Sequence, residues 1–430
     1  MSRDEGGFRM VPVAVGVDFG TTNSVVAIAD RSGQIQVRRF DTQVGVVEAY
    51  RSALLFFREG RPPNATLGHI SGPDALLRAM EIDADHRFLQ SLKTHLSSAT
   101  LQDIYLLGRR FLLEELIGVL LKDILPAGIG DLPVVCGRPV VFAGERPNEA
   151  LAIERLTNAY RSAGVAHVDF AYEPLGAAYW YARTIRRQET VLVADFGGGT
   201  SDFSVMRFDL GGARMQAEAL SHAGVGVAGD TFDFRIVDNL VSPRLGKGAS
   251  YRSFGKLLPL PSHYYAAFAQ WHRLSLLKDA RTLGELRQLA RNAERPQEIE
   301  DLIHLIEADL GYELYQAISK TKLQLSAAER TTFHFKAGDL DISADVTRAD
   351  FETWIAADIE RIGAAIDVAL KRAHVTVETV DSVFMTGGTS HVPAVRWLFE
   401  QRFGQEKLRY GDAFNSVASG LAAIAQDSVR

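Results

Sequence analysis

Ala14-Val15-Gly16-Val17-Asp18-Phe19-Gly20 runs directly into Thr21-Thr22-Asn23-Ser24-Val25-Val26. Half a chain later the same pattern returns as Val191-Leu192-Val193-Ala194-Asp195-Phe196-Gly197, followed by Gly198-Gly199-Thr200-Ser201-Asp202-Phe203. Each copy reads as a β-branched strand, an Asp-Phe-Gly corner, a turn of small residues and a second strand with alternating apolar positions. That is the signature of a β-hairpin with a glycine-rich tip. Two matched hairpins so far apart predict an α/β protein built from two similar lobes that face each other.

The two tips also carry chemistry. In the first, Asp18 stands beside a tight turn whose backbone N–H groups and hydroxyls can cradle phosphate oxygens. A carboxylate there suits hydrated Mg²⁺, a hard cation that keeps most of its waters. The second tip repeats the arrangement from Asp195 to Asp202 with three consecutive glycines, which let the backbone approach a phosphate closely. One Asp-x-Gly turn is commonly only a turn; two matched copies, each after an apolar strand, argue for a site.

Other segments are weaker alone. Tyr172-Glu173-Pro174-Leu175-Gly176-Ala177-Ala178 reads as a helix start with small packing residues; the alternative reading of Glu173 is that it serves only the helix dipole. Gly226-Val227-Ala228-Gly229-Asp230-Thr231-Phe232-Asp233 is a small-residue loop opening a helix, an end that favours anions, though Asp230 also reads as a cap. Phe384-Met385-Thr386-Gly387-Gly388-Thr389-Ser390 reads as strand, Gly-Gly turn and hydroxyls, suited to a nucleoside or phosphate over exposed backbone.

Helical spacing runs from Pro147 to Ala163, with Gly164 as punctuation. A helix capped by Thr347 with Asp350 follows a strand end at Val346. Val380 to Met385 reads as a strand and Pro393 as a helix start. Val241 to Asp309 is basic at first, contains Pro259 and Pro261, and is helical from Leu283 to Leu310, as in a peripheral subdomain inserted into the second lobe; Pro243 to Gly255 is its candidate mobile loop.

Composition excludes several classes. The 430 residues are 47% hydrophobic and 23% charged, with net charge -6, an acidic balance that argues against bulk nucleic-acid binding. The single cysteine, Cys136, has no internal disulfide partner and follows the apolar run Leu132 to Val135, which predicts a buried, inert thiol and a reducing compartment. Val11 to Val17 is too short to span a membrane. No membrane partner is expected, and the cytoplasm is the default.

In order, the chain presents Asp-x-Gly-Thr-Thr, Glu-Pro-x-x-Ala-Ala, Asp-x-Gly-Gly-Gly-Thr, Gly-Asp-x-Phe-Asp and Gly-Gly-Thr-Ser. This series resembles the ATPase domain of DnaK-type heat-shock chaperones, the seventy-kilodalton heat-shock family, over nearly the whole chain, and is most similar to its shortened YegD-type members. The resemblance implies an actin-like ATPase fold: two duplicated lobes, four subdomains, and MgATP in a central cleft. The expected lobes are 11–190, with a peripheral subdomain at about 41–104, and 191–425, with a peripheral helical subdomain at about 241–309. Asp18 and Asp195 would flank hydrated Mg²⁺, with Asp202 close by. Thr21, Thr22 and Asn23 would contact the β- and γ-phosphates, with Gly197, Gly198, Gly199 and Thr200 on the other side. Glu173 would help place the attacking water. Lys93 falls where the family has its catalytic lysine; its neighbours are undistinctive, and a surface lysine is the alternative reading. Gly229, Asp230, Lys322, Ser326, Gly387, Gly388 and Thr389 would hold the nucleoside.

Departures from the family pattern predict a rebuilt adenine pocket beside intact phosphate machinery. Ser319 replaces a glutamate, Leu323 an arginine and His391 another arginine, and Phe414 falls near an aspartate. Leu421 to Arg430 contains no leucine-rich linker, so client gripping by a following β-sandwich is not expected of this chain alone. The expectation is thus an ATP- and ADP-binding, slowly hydrolysing chaperone-like protein acting with a protein partner or co-chaperone. The alternatives are a small-molecule phosphotransferase of the same fold, an actin-like filament protein, and a nucleotide-binding pseudoenzyme.

Overall fold

Both quoted stretches fold as hairpins with the same register. β1 (Pro12–Phe19) turns into β2 (Asn23–Asp30), and the ladder pairs Asp18 with Val25 and Phe19 with Ser24. β3 (Ile35–Val37) extends the meander beyond β2, and the short strand Tyr50–Arg51 also pairs with β2. On the other side of β1, β4 (Val134–Arg138) and β5 (Val168–Tyr172) join in parallel. The second sheet repeats this plan. β6 (Glu189–Phe196), β7 (Ser201–Asp209) and β8 (Gln216–Val225) form the meander, β9 (Ser382–Thr386) joins β6 in parallel, and β10 (Leu408–Tyr410) joins β9 in parallel. A computed structural model describes residues 11–428 apart from 61–65, 83–84, 102, 144–145, 210–215, 267, 269–276, 309 and 412–414. Phe414 therefore lies outside the described residues.

Parallel neighbours need crossover connections, and helices supply them. The helices that matter below are α1 (Leu113–Ile124), α2 (Glu149–Ser162), α3 (Glu173–Ala182), α4 (Gly229–Ile236), α5 (Gly311–Ala327), α6 (Arg348–Ala373), α7 (Pro393–Phe403) and α8 (Asn415–Asp427). α2 links β4 to β5 and α7 links β9 to β10. The α2 start is fixed by Asn148, whose side chain accepts from the Leu151 N–H at 3.1 Å, and Gly164 follows its end at φ 92°. α6 starts as its sequence predicts: the Asp350 N–H donates to the Thr347 hydroxyl oxygen at 3.1 Å, and the Thr347 N–H donates back to the Asp350 carboxylate at 3.0 Å.

The described residues divide into two compact units. The first contains residues up to Gly226, Ile362–Ser390 and those from Val395; the second contains Val227–Arg361 and His391–Ala394. Within the first unit, the closing helix of each half packs on the other half's sheet. α8 lies on β1 and β2, and α3 lies against β6 and β7. Their faces are built from Ala177, Ala178, Ala182, Ala418, Ala422 and Ala425, and they meet Ala14, Ala27, Val191 and Met206 in one buried cluster. Small side chains let backbones touch. A Cβ on Gly420 would lie 1.6 Å from the Gly176 carbonyl oxygen, and one on Gly16 2.1 Å from the Ala422 nitrogen. The opposite face of the first sheet, with Val15, Val17, Val26 and Ile28, packs on α1 and α2 through Leu116, Leu120, Leu156 and Tyr160. Burial on both faces explains the near-continuous apolar run of β1.

Residues 40–95 add a hairpin (Phe40–Thr42 with Gly45–Val47), a three-stranded sheet (Thr66–Ser71, Ala53–Glu59, His86–Gln90), helix Gly72–Glu81 and a 3₁₀ turn, Leu92–His95. The second unit holds α4, α5, helices Ala280–Asn292 and Pro296–Glu307, and two hairpins. One of these, Ser250–Ser253 with Lys256–Pro259, occupies the end of the segment read as a mobile loop. A 3₁₀ turn, Ser242–Leu245, starts that segment, so most of it is regular structure.

Candidate functional site

The hairpin tips are shaped by their glycines. A Cβ on Gly20 would sit 2.0 Å from the Asn23 carbonyl oxygen, so the first turn closes only without a side chain there. Thr21 and Thr22 fill that turn, and the Thr22 carbonyl accepts from the Ser52 N–H at 2.9 Å. In the second tip the Gly197 N–H donates to the Thr200 carbonyl at 2.9 Å, and a Cβ on Gly199 would face open space. Gly198 lies between them at the apex. The third loop abuts this tip: Gly387 has φ 86°, and a Cβ on it would come within 2.0 Å of the Phe196 carbonyl oxygen. Gly388 and Thr389 continue into the 3₁₀ turn Gly388–His391, where the Ser390 hydroxyl donates to the Gly387 carbonyl at 2.6 Å.

Four carboxylates and one ammonium gather at the base of this unit. Lys93 is 9% exposed and donates to Glu173 Oε1 at 2.5 Å, and Glu173 is 7% exposed. Lys93 is therefore no surface lysine. Burial opposes its charge, but Glu173 and then Asp18 outweigh that effect and raise its pKa above the ordinary lysine value. Enclosure and the Glu173 charge push the Asp18 carboxyl to about 7 against the pull of Lys93. Burial and the charges of Glu173, Asp18 and Asp202 hold Asp195 well above the carboxylate range. Asp202, 1% exposed, is raised to about 7 by burial and Glu173, although it accepts the Val140 N–H at 2.9 Å. The register sets this asymmetry: Asp202 sits opposite Asp195, whereas the matching partner of Asp18 is Val25.

A buried set with more acids than bases suits a dication. Among the described residues, no group of three or more His, Cys, Asp or Glu could hold a metal ion. Cys136 lies near the same charges. It is fully buried, and burial pushes its thiol up to about 12, in keeping with the inert role read from the sequence.

Several supports carried no sequence signal. Arg155 on α2, 7% exposed, donates to the carbonyls of His95, Leu96 and Ser98 at 3.0–3.1 Å and to that of Leu101. It thereby fixes the chain that leaves Lys93. Arg155→Leu leaves those carbonyls without a charged donor and is expected to cost about 1.5–3 kcal/mol; urea unfolding of the variant checks this. Arg138 at the end of β4 pairs with Glu149 at 2.6 Å and lies over the rings of Phe142 and Tyr172, 5.1 and 4.8 Å from their centroids. The Tyr172 and His222 rings meet at a tilt of 49° with centroids 4.5 Å apart, and His222 Nδ1 lies 2.6 Å from the Ser204 hydroxyl. Burial, and then the Arg138 charge, lower the His222 pKa. Isolated arginines and a histidine without a motif could not be placed from sequence; their partners come from distant strands.

The remaining predicted residues lie in the second unit. Lys322 on α5 donates to the Gly229 carbonyl at 3.2 Å and pairs with Asp233 at 2.9 Å, across from the start of α4. Asp230 stands in the first turn of α4. The Ser326 hydroxyl donates to the Lys322 carbonyl at 3.0 Å. Leu323, where the pattern has an arginine, is 71% exposed.

A family model described as Hsp70 protein matches residues 154–247 and 298–427. Chaperone protein DnaK of Thermus thermophilus is 25% identical over 423 residues, covering 95% of this chain and 60% of that protein. Chaperone protein dnaK of Trieres chinensis is 24% identical over 439 residues with the same coverage, 95% and 60%. The stromal 70 kDa heat shock-related protein, chloroplastic, of Pisum sativum is 23% identical over 428 residues, covering 96% of this chain and 52% of that protein. The chain thus spans 52–60% of the length of these curated relatives. No helix among the described residues is long and apolar enough to cross a membrane.

Proposed function

This chain belongs to the Hsp70 protein family and has its actin-like ATPase fold, and on that footing we propose that it binds ATP and ADP and hydrolyses ATP slowly. The observation that carries the reading is the pair of hairpin tips in identical register, with Asp18 close enough to Asp195 to raise its pKa beside a buried Lys93–Glu173 pair. Thr21, Thr22 and Asn23 would cradle phosphate oxygens from one side and Gly197 to Thr200 from the other. Asp18, Asp195 and Asp202 would hold hydrated Mg²⁺ through its waters. When bound, that ion supplies positive charge against the phosphate oxygens. Lys93, kept charged and in place by Glu173, would face the same oxygens, and Glu173 would orient the water that attacks the γ-phosphorus as the bond to ADP breaks. Positioning and charge neutralisation, more than a strong base, would lower the barrier.

The nucleoside would be held by Gly229, Asp230, Lys322, Ser326, Gly387, Gly388 and Thr389, in a pocket altered at Ser319, Leu323 and His391. We place the lobe boundary near residue 190, with peripheral subdomains at about 41–104 and 241–309, and read the chain as closest to the YegD-type branch. Nucleotide state would set the opening of the cleft, and a protein partner or co-chaperone would read it, with the cytoplasm as the proposed compartment. Titration calorimetry with Mg²⁺–ATP, ADP and GTP, beside phosphate release, tests this. Asp195→Ala is expected to abolish Mg²⁺-dependent ATP binding and turnover; absence of adenine-nucleotide binding to the wild type at millimolar concentration would sink the reading.

A further inference from the structure

The hairpin Ser250–Ser253 with Lys256–Pro259 ends in a two-residue turn, Phe254-Gly255, between the paired residues Ser253 and Lys256. Both turn residues have positive φ, 46° and 77°, the signature of a type I′ turn, where Asn-Gly is the favoured pair. A phenylalanine in that conformation is an outlier, and this one is 104% exposed. The molecule contains a control. Leu107-Gly108 makes the same kind of turn, with φ 51° and 86°, but Leu107 packs against the first unit's core. Among the described residues no core packing uses Phe254 that way. Leu257 and Leu258, 51% and 38% exposed, follow it, and consecutive strand residues point to opposite faces. The hairpin's root is firm: the Glu294 N–H donates to the Ser250 carbonyl at 3.0 Å, the Leu260 N–H to the Ala249 carbonyl at 2.9 Å, and Leu260 is buried.

Charge says what would cover it. Between Asp238 and Asp279 the sequence has no acidic residue but has Arg244, Lys247, Arg252, Lys256, Arg273 and Lys278, in a chain of net charge -6. Arg252 and Lys256, beside the tip, are exposed, and so is Arg244 in the turn that precedes the hairpin. We propose that this hairpin is a docking site for an acidic protein segment that offers an apolar pocket or side chain to Phe254, with Arg252 and Lys256 pairing its carboxylates. The strained, solvent-facing aromatic would be the anchor and the cations would steer encounter. Apolar side chains on both faces of a narrow ribbon fit a partner that wraps the tip, and Lys256, two residues from the anchor, opposes insertion into a lipid interior. The inference does not depend on nucleotide binding.

Fluorescence anisotropy of labelled synthetic peptides against the full chain tests it, using Glu-rich peptides with regularly spaced Leu or Phe and Lys-rich counterparts as controls. The acidic peptides are expected to bind and to weaken with added salt. Phe254→Asn and Lys256→Glu should each lose about tenfold or more in affinity. Phe254→Asn should also keep the melting temperature or raise it by about 2 °C, because asparagine suits the turn. A lowered melting temperature would show that Phe254 packs in the fold and overturns the proposal. So would failure of every acidic peptide to bind, or affinity that neither substitution changes. Binding of the hairpin to anionic phospholipid vesicles, or self-association lost in Phe254→Asn, in place of peptide binding, overturns it in favour of a membrane or a second copy.

Discussion

Lys93→Ala is expected to lower the free energy of unfolding by about 3–5 kcal/mol, because it leaves Glu173 buried without its counter-charge. The two groups are 9% and 7% exposed and 2.5 Å apart, so solvent screens the pair little. Adding Glu173→Ala to the same background should recover much of the loss, since removing both partners removes the orphaned charge; a double-mutant cycle by urea unfolding measures this. The sign of the pH dependence follows from the neighbours. Asp18 and Asp202, with pKa values about 7, keep protons in the folded state that the unfolded chain releases near pH 4. Stability therefore falls as pH rises through that window, and it should fall further without Lys93, which restrains both carboxyls. A variant as stable as the wild type above pH 7 would contradict the ion-pair account. On the proposed reading, phosphate release by Lys93→Ala also drops to background.

Gly420→Ala should be as damaging by a different route. The added Cβ would lie 1.6 Å from the Gly176 carbonyl oxygen and 2.5 Å from its carbon. Backbone cannot rotate away as a side chain can, so α3 and α8 would have to separate and open the alanine-rich layer between the sheets. Overpacking of this kind costs about 3 kcal/mol or more, and Gly420→Val should yield little folded protein. Gly284→Ala is the control. It lies within helix Ala280–Asn292 with nothing within 4 Å of its Cβ position, and should stabilise by about 0.5–1 kcal/mol through helix propensity. Melting curves of the two variants that shift together would show that contact geometry does not decide the effect.

The hairpins, their acids and the two matched sheets were legible because each depends on local chemistry: β-branched strands, an Asp-Phe-Gly corner and small residues at the tip. The cap of α6 and the glycine that ends α2 were legible for the same reason; the Asn148 cap of α2 was not read. What local chemistry does not encode is which distant segment meets which. Lys93 was placed only by the family resemblance, since its neighbours are undistinctive and its pairing with Glu173 comes from the fold, and Arg155 gave no sign that it holds the backbone after Lys93. Arg138, Tyr172 and His222 converge from β4, β5 and β8 without a shared motif. The segment from Pro243 to Gly255 misled through its glycines and proline: Gly246, Gly248 and Gly255 have positive φ, but they shape tight turns around a hairpin rather than a free loop.

The exchange of closing helices between the two sheets bears on how the chain must be made. Residues 415–427 complete the layer on β1 and β2, and the Gln426 side chain reaches back to the Asp30 carbonyl. The first sheet leaves the ribosome long before α8, and its inner face stays uncovered until that helix follows. Contacts so distant in sequence close slowly, so the nascent chain carries an exposed apolar sheet until α8 can reach it. A member of a family of chaperones would itself be, for that interval, a chain in need of protection from aggregation.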